Sequence, residues 1–336
     1  MDNATVLLVL VVLLGVGFEF VNGFHDAANA IATVIATRVL TPLQAILMAG
    51  GLNLVGALSG EAVAKTVGNG IVDAKVVTQD LVVAALVGAI IWDLITFVAA
   101  LPTSSSHALI FSVIGAAVSA HGLDVIIAPG LQKTSFGIVY SPLVAFIFGY
   151  AFMLALYWGL RNVSYRLVSR FFGRAQILSS AYMAFSHGGN DGQKTMGVIA
   201  LALAAYGAVP TGPGFYIPDW VKVLCAVAIG LGTATGGWRI IKTMGMRITA
   251  LTPVSGFAAE TSAATVIEIA TRFGIPISTT HAISGAILGV GSTRRLSAVR
   301  WGIAGRIVTA WVLTIPGCFF LGYGTATLLR AVGVHP

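Results

Sequence analysis

The sequence predicts an all-α polytopic membrane protein, organised as two inverted internal repeats with two re-entrant helical hairpins. Three observations predict this fold: the composition, the length of the apolar blocks, and a pair of motifs that occurs twice. Of the 336 residues, 57% are hydrophobic and only 9% are charged, whereas charged residues make up roughly a quarter of an average soluble domain. This composition excludes a water-soluble globular protein, because too little polar surface remains to cover a core.

The apolar residues fall in long blocks that are joined by short, turn-rich links. In lipid, only helices and closed barrels satisfy every backbone hydrogen-bonding group, and these blocks lack the alternation of strands. At about 20 apolar residues per span, the chain has room for roughly ten membrane segments. The blocks cover residues 4–22, 42–60, 81–101, 105–120, 141–160, 177–207, 220–238, 248–271, 278–291 and 301–329.

Two of these blocks, 105–120 and 278–291, are short for a full membrane span. Each follows a break that contains a proline, Pro102 in the first case and Pro276 in the second. Short, proline-interrupted apolar segments at matching places in two halves of a chain are typical of re-entrant half-helices. We therefore expect a helical hairpin at each of these positions.

Two pairs of motifs indicate an internal duplication. The run Pro102–Ala108 (Pro-Thr-Ser-Ser-Ser-His-Ala) resembles Pro276–Ala282 (Pro-Ile-Ser-Thr-Thr-His-Ala), so that Pro102 matches Pro276. The run Asn22–Asp26 (Asn-Gly-Phe-His-Asp) resembles His187–Asp191 (His-Gly-Gly-Asn-Asp), so that Asp26 matches Asp191. Because both motifs recur in the same order and at nearly the same spacing, we infer that the chain contains two related halves.

Basic residues cluster in the links and predict the orientation of the repeats. By the positive-inside tendency, the clusters within 161–174, 239–247 and 294–300 face the cytoplasm. The two halves then have opposite orientation and both termini lie outside, which is the inverted arrangement of secondary transporters. The predicted units are a first inverted repeat at residues 1–160, a short basic cytoplasmic link at 161–176 and a second inverted repeat at 177–336.

Acidic and amide residues inside the apolar blocks are candidate cation ligands. A carboxylate in hydrocarbon is costly unless it is paired or bound to a cation. Asp26 and Asp191 lie at equivalent places in the two halves, and a helix cap is the alternative interpretation of each. With Asn29 and Asn190 they supply hard oxygen ligands for a desolvated Na⁺, or carboxylates for a transferred proton. Glu260 lies in a further polar break, as a cation ligand or as part of a helix–helix hydrogen bond.

Hydroxyl groups crowd the predicted start of each half-helix. Helix N-termini carry partial positive charge and unpaired N–H donors, which together favour an oxyanion. Two such ends meeting at the membrane midplane would surround a tetrahedral anion, and ordinary helix capping is the alternative. Lys194 would add positive charge to this site, or snorkel to an interface. The hydroxyl candidates are Ser104, Ser105, Ser106, Ser278, Thr279 and Thr280.

Four histidines neighbour these motifs, and the sequence leaves their roles open. A buried histidine usually satisfies a local hydrogen bond, and a proton relay is the other interpretation. They are His25, His107, His187 and His281.

The duplicated motifs carry a family resemblance. The runs Asn22–Thr33 and Ser186–Gly197 resemble the repeated signature of the PiT family of inorganic phosphate transporters, in wording closest to its bacterial branch. The runs 102–107 and 276–281 are similar to the paired re-entrant motifs of that family, so the resemblance covers nearly the whole chain. It departs from the family at His25, where many members have Asn, and in the absence of a long hydrophilic segment between the halves.

The resemblance implies cation-coupled symport of phosphate. It places Asp26 and Asp191 at the cation sites, and it brings the hydroxyl runs and Gln193 to the phosphate. Glu260 resembles a glutamate that the family has near its coupling pathway. We therefore expect a non-enzymatic, Na⁺-driven importer of inorganic phosphate in the cell inner membrane, with Na⁺ as coupling ion and no other cofactor.

Several alternatives stay open at this stage. H⁺-coupled symport of phosphate or of a metal–phosphate complex is the main one, and a passive anion channel is another. An intramembrane hydrolase would need a nucleophile motif, yet the sequence has neither a G-x-S-x-G elbow nor an H-E-x-x-H pair. A GxxxxGK[ST] nucleotide loop is also missing. The scattered basic residues argue against a nucleic-acid partner, and a homo-oligomer remains open.

Overall fold

In the computed structural model, which describes residues 3–334, every regular element is helical, and this confirms the predicted all-α fold. The first half contains α1 to α6 and the second half α7 to α12. The helices are α1 (Asn3–Ala36), α2 (Pro42–Ala57), α3 (Ala62–Gly70), α4 (Gln79–Val98), α5 (Ser105–His121), α6 (Ala128–Leu160), α7 (Tyr165–Ala205), α8 (Asp219–Thr235), α9 (Trp238–Lys242, continued by a π turn over Thr243–Arg247), α10 (Pro253–Arg272), α11 (Thr279–Ser292) and α12 (Trp301–Ala331).

The second half repeats the order of elements of the first. Each half begins with a long helix, continues with a bent helix pair, then has a hairpin of two helices and ends with a long helix. The bends between α2 and α3 and between α8 and the α9 segment are 65° and 59°. The basic link expected at residues 161–176 consists of a turn at 161–164 followed by the first turns of α7.

Within residues 3–334, four helices are long and apolar enough to cross a membrane, namely α1, α4, α6 and α12. Each of the two bent pairs also qualifies if it forms one span. The shorter helices α5 and α11 follow the proline breaks as expected for re-entrant hairpins. The turns before these breaks share an unusual backbone conformation, since Ala100 and Gly274 have φ angles of 54° and 61°. Each of these residues stands two positions before the proline of its own break. The duplication therefore extends to the backbone of the turns.

The two halves interlock through their hairpins. The last helix of each half packs against the hairpin of the other half, so α12 contacts α4 and α5 while α6 contacts α10 and α11. Glycines allow the backbones to touch: a Cβ atom at Gly115 would lie 2.0 Å from the Phe319 carbonyl oxygen, and one at Gly289 would lie 2.1 Å from that of Phe146. Any larger residue at either glycine would push the last helix off the hairpin.

Candidate binding site between the two hairpins

The N-termini of α5 and α11 meet between the two halves. The ring centroids of His107 and His281, in the first turns of these helices, lie 4.6 Å apart. Ser104 Oγ accepts a hydrogen bond from the His107 backbone N–H at 3.2 Å, and Ser278 Oγ accepts one from the His281 backbone N–H at 3.1 Å. The hydroxyls of Ser104 and Ser278 therefore act as helix caps.

Asp26 on α1 and Asp191 on α7 bring their carboxylates to this junction. Both residues are buried, and one oxygen of each lies with a ring nitrogen of His187 in a group whose atoms are all within 4.8 Å of one another. Each aspartate lies inside a long helix, so residues three and four positions away share its face. On that face Asn29 follows Asp26 and Lys194 follows Asp191, at equivalent positions of the repeat.

Asp191 is surrounded by donors from both hairpins and from its own helix. Thr279 Oγ1 donates to its Oδ2 at 2.7 Å, and Ser106 Oγ donates to its Oδ1 at 3.2 Å. Lys194 Nζ donates to the same Oδ1 atom, and His187 Nε2 lies 3.1 Å from Oδ2. The carboxylate thus links α7 to the start of both α5 and α11.

Asp26 has fewer donors around it. Its Oδ1 faces His25 Nδ1 at 2.7 Å, and Thr280 Oγ1 donates to its Oδ2 at 3.2 Å. The Asn29 amide donates to Thr279 and Thr280, at 3.1 and 2.9 Å, whereas Asn29 Oδ1 is buried without a hydrogen-bond partner among residues 3–334. An unsatisfied buried acceptor beside a carboxylate is suited to a bound cation, which would supply the missing interaction.

Lys194 is buried, with only 2% of its surface exposed, and does not snorkel to an interface. Besides Asp191, its Nζ donates to Ser106 Oγ at 2.5 Å and to the Ile277 carbonyl oxygen at 2.6 Å. An ammonium group has three donors. All three are therefore engaged by protein atoms.

Two of the predicted residues are turned away from this junction. Gln193 Oε1 accepts a hydrogen bond from the backbone N–H of Val63 on α3 at 2.9 Å. Asn190 Nδ2 donates to Thr271 Oγ1 near the end of α10 at 2.8 Å. The structure does not bring these side chains to the hydroxyls of the hairpins, because they lie on other faces of α7 than Asp191.

Glu260 belongs to a separate buried group, which we call the Glu260 cluster: Glu260, Thr33, Gln176 and Ser179. Thr33 and Ser179 donate to the two carboxylate oxygens, and Gln176 Nε2 donates at 3.2 Å. Thr33 lies four residues after Asn29 on α1, so one face of this helix carries polar groups from Asp26 to the cluster. Sequence reasoning missed the three partners, because only the packing of α1, α7 and α10 places them beside Glu260.

His25 and His187, which neighbour the two aspartates, contact partners that the sequence did not indicate. His25 Nε2 lies 3.1 Å from Thr96 Oγ1, and His187 Nδ1 lies 2.8 Å from Asn53 Oδ1. The His25 imidazole therefore connects α4 to the Asp26 carboxylate, whereas His187 Nε2 lies beside Asp191 without a hydrogen bond among residues 3–334. A local hydrogen-bonding role, the first of the two interpretations from the sequence, agrees with this geometry.

Trp311 on α12 is a further residue of the site that the motifs did not indicate. Its ring stacks on His281 with centroids 3.8 Å apart. Its Nε1 donates to the Pro102 carbonyl oxygen at 2.9 Å. Trp311 therefore ties the break of the first hairpin to the first turn of α11.

The chain is similar to known proteins over nearly its whole length. The model of a family described as the phosphate transporter family matches residues 22–167 and 160–322. A probable low-affinity inorganic phosphate transporter of Rhizobium meliloti is 47% identical over 311 residues, which are 92% of each chain. One of Bacillus subtilis is 41% identical over 324 residues, or 96% of this chain and 97% of that protein. A solved structure, titled the sodium-dependent phosphate transporter, has a TM-score of 0.86 and 28% identity, over 97% of this chain and 100% of that one.

Proposed function

This chain belongs to the phosphate transporter family, and we propose that it is a secondary active symporter that imports inorganic phosphate on a Na⁺ gradient. One observation carries the proposal: hydroxyl donors at the N-termini of α5 and α11 contact two buried aspartates. Groups that suit an anion and groups that suit a cation therefore lie side by side. An anion and a cation bound there neutralise each other's charge. Either ion therefore favours the binding of the other, which is the basis of coupling.

The phosphate lies at the N-termini of α5 and α11 in this proposal. The first N–H groups of a helix have no partner within it and attract an oxyanion. Ser105 Oγ is buried and has no hydrogen-bond partner in the described part of the chain, so it is available to a phosphate oxygen. The hydroxyls of Ser106, Thr279 and Thr280 are adjacent, and the ammonium group of Lys194 adds positive charge beside them.

The coupling ion lies among oxygen atoms of α1 and α7. Asp26 supplies its carboxylate and Asn29 the unsatisfied Oδ1 atom, and one oxygen of Asp191 lies within 4.8 Å of one oxygen of Asp26. Glu260 is a second, separate place for a cation, and the polar face of α1 connects it to Asp26 through Asn29 and Thr33. The sodium-dependent character named for the structural neighbour supports Na⁺ as the ion.

Proton coupling is the second candidate, and one contact favours it. The His25 ring and the Asp26 carboxylate lie 2.7 Å apart in a buried pair, which is a geometry through which a proton can pass. A proton needs one titrating group rather than a shell of oxygen ligands. In this version the substrate is phosphate or a metal–phosphate complex.

Alternating access follows from inverted repeats in the inner membrane. In this proposal residues 1–160 and 177–336 span the membrane in opposite orientation, the basic link at 161–176 is cytoplasmic, and both termini lie outside. Rocking of one bundle against the other would open the junction of α5 and α11 to each side in turn. The similar bends of 65° and 59° in the second element of each half support a symmetric pair of bundles.

Uptake by the purified protein in proteoliposomes tests the proposal. We expect accumulation of labelled phosphate under an inward Na⁺ gradient, and none under a pH gradient at zero Na⁺. Liposomes without protein, under the same gradients, give the background. Accumulation on the pH gradient alone would replace Na⁺ by H⁺ as the coupling ion, and flux without accumulation on either gradient would indicate a passive channel.

A further inference from the structure

We propose that the ammonium group of Lys194 takes, at Asp191, the place that a coupling cation takes at Asp26. The site then binds one exchangeable Na⁺ fewer than its two aspartates suggest. This inference rests on the proposed function, since it concerns the number of cations that move with each phosphate through the same site.

The repeat itself shows what Lys194 replaces. Asn29 and Lys194 each follow the aspartate of their own half by three positions. Asn29 donates to Thr280 Oγ1, which donates to the aspartate of the first half. Lys194 donates to Ser106 Oγ, which donates to the aspartate of the second half. In both networks the middle group is a hydroxyl at the equivalent position of a hairpin. The first donor differs: it is a neutral amide in the first half and a cation in the second.

The side chains three positions after the two aspartates differ in the way that this replacement requires. At Asp191 the carboxylate is paired with a buried ammonium group, and all three donors of Lys194 are satisfied. At Asp26 the neighbouring Asn29 Oδ1 has no hydrogen-bond partner within residues 3–334. Buried charges need a counter-charge, and buried acceptors need a donor or a cation. The first half therefore has a place for a cation, and the second half already contains one.

A tethered cation differs from a bound one in its contribution to transport. A Na⁺ ion that enters from one side and leaves on the other adds the free energy of its gradient to the uphill movement of phosphate. Lys194 neutralises Asp191 equally well but stays in the protein throughout the cycle. It thus keeps the phosphate site electrically balanced while lowering the number of Na⁺ ions per phosphate.

The Lys194→Asn variant, which installs the residue of the first half, tests the proposal in proteoliposomes. The measurement is the ratio of labelled Na⁺ to labelled phosphate taken up, in the wild type and the variant. We expect the ratio to rise by one Na⁺ per phosphate in Lys194→Asn, and the Na⁺ dependence of uptake to become steeper. Lys194→Arg, which keeps a cation, should have the wild-type ratio.

The double variant Asp191→Asn, Lys194→Asn identifies the ligand of the additional ion. It lacks the carboxylate, so its ratio should return to that of the wild type. An unchanged ratio in Lys194→Asn would overturn the proposal, and so would a double variant that keeps the higher ratio.

For variants that no longer transport, the measurement is the binding of labelled Na⁺ to the purified protein. With phosphate present, Lys194→Asn should bind one labelled Na⁺ more per chain than the wild type, and equal binding would overturn the proposal. If instead the wild type itself shows no Na⁺-dependent uptake, the proposed Na⁺ coupling fails. The binding comparison then still decides whether Lys194 stands in for a cation.

Discussion

The Glu260 cluster of the second half is polar, whereas the equivalent place in the first half is apolar. In the register that matches Pro102 with Pro276, helix α4 corresponds to α10 and Leu86 is the counterpart of Glu260. In the register that matches Asp26 with Asp191, Val198 on α7 is the counterpart of Thr33 on α1. Leu86 and Val198 lie in one buried hydrophobic cluster.

The other members of the Glu260 cluster also have apolar counterparts in the other half. Gln176 corresponds to Val11, which is buried in that hydrophobic cluster, and Ser179 corresponds to Leu14, which packs against it. The two halves therefore share their backbone arrangement and the central junction. They differ where the long first helix packs against the hairpin, because this contact is polar in one half and apolar in the other. If the halves are inverted, polar groups that suit an ion lie towards one side of the membrane only.

Loss of one carboxylate should affect the two halves unequally, and this is the largest effect we expect. Asp191→Asn leaves the buried Lys194 ammonium without its anion, and breaking a buried ion pair in this way costs about 3–5 kcal/mol. Asp26→Asn removes a carboxylate that His25 and Thr280 contact, and it leaves the Lys194–Asp191 pair intact. Na⁺-dependent phosphate uptake should fall strongly in both variants, but the thermal stability of the purified protein should fall mainly in Asp191→Asn. Equal stability of the two variants would contradict the asymmetry.

A carboxylate at the apolar counterpart of Glu260 should be poorly tolerated. Leu86→Glu places a charge among valines and leucines without the hydroxyl and amide donors of the Glu260 cluster. A charge at the centre of a membrane helix costs about 2.5–3.5 kcal/mol. We expect a lower midpoint of thermal unfolding than in the size-matched control Leu86→Met. A stability like that of the control would mean that the two places are equally able to hold an acid.

The hydroxyls of the two hairpins should differ in their effect on phosphate affinity. Within residues 3–334 Ser105 Oγ makes no hydrogen bond, so Ser105→Ala should cost chiefly a hydrogen bond to the phosphate, worth about 1.5–3 kcal/mol when charge-assisted. The phosphate concentration for half-maximal uptake should rise about 10-fold or more. Ser119→Ala, at the other end of α5, is the control and should leave it unchanged. An unaltered affinity for phosphate in Ser105→Ala would show that the phosphate does not bind at this helix end.

The capping serines should be equivalent, which makes them the test of symmetry with the smallest effect. Ser104 and Ser278 accept the same backbone hydrogen bond at 3.2 and 3.1 Å. Replacement of an N-cap by alanine costs about 1 kcal/mol. Ser104→Ala and Ser278→Ala should lower thermal stability by similar amounts, and a clear difference would show that one hairpin depends on its cap more than the other.

The central junction could be predicted from sequence because its residues lie in repeated motifs. Asp26, Asp191 and the hydroxyl runs recur at nearly constant spacing, and that regularity indicated both the hairpins and the meeting of their ends. The contacts of the residues around the junction could not be predicted in this way. Gln193 lies two positions after Asp191, yet each step along a helix turns a side chain by about 100°, and Gln193 contacts α3.

The partners of Glu260 show the other limit of sequence reasoning. Thr33, Gln176 and Ser179 come from two helices of different halves, and no repeat relates them to one another. Isolated hydroxyl and amide residues in apolar helices also occur as harmless local hydrogen-bonding groups. Only the tertiary packing of three helices distinguishes the two cases.

The interlocked hairpins also have a consequence for biogenesis. When α10 and α11 leave the ribosome, their packing partner α6 has already been made. The equivalent hairpin of α4 and α5 is made early, but its partner α12 is made only after the second hairpin. During translation the face of the first hairpin that carries Gly115 therefore stays uncovered until nearly all of the second half has been made. The insertion machinery or the lipid must shield that face until α12 has been made.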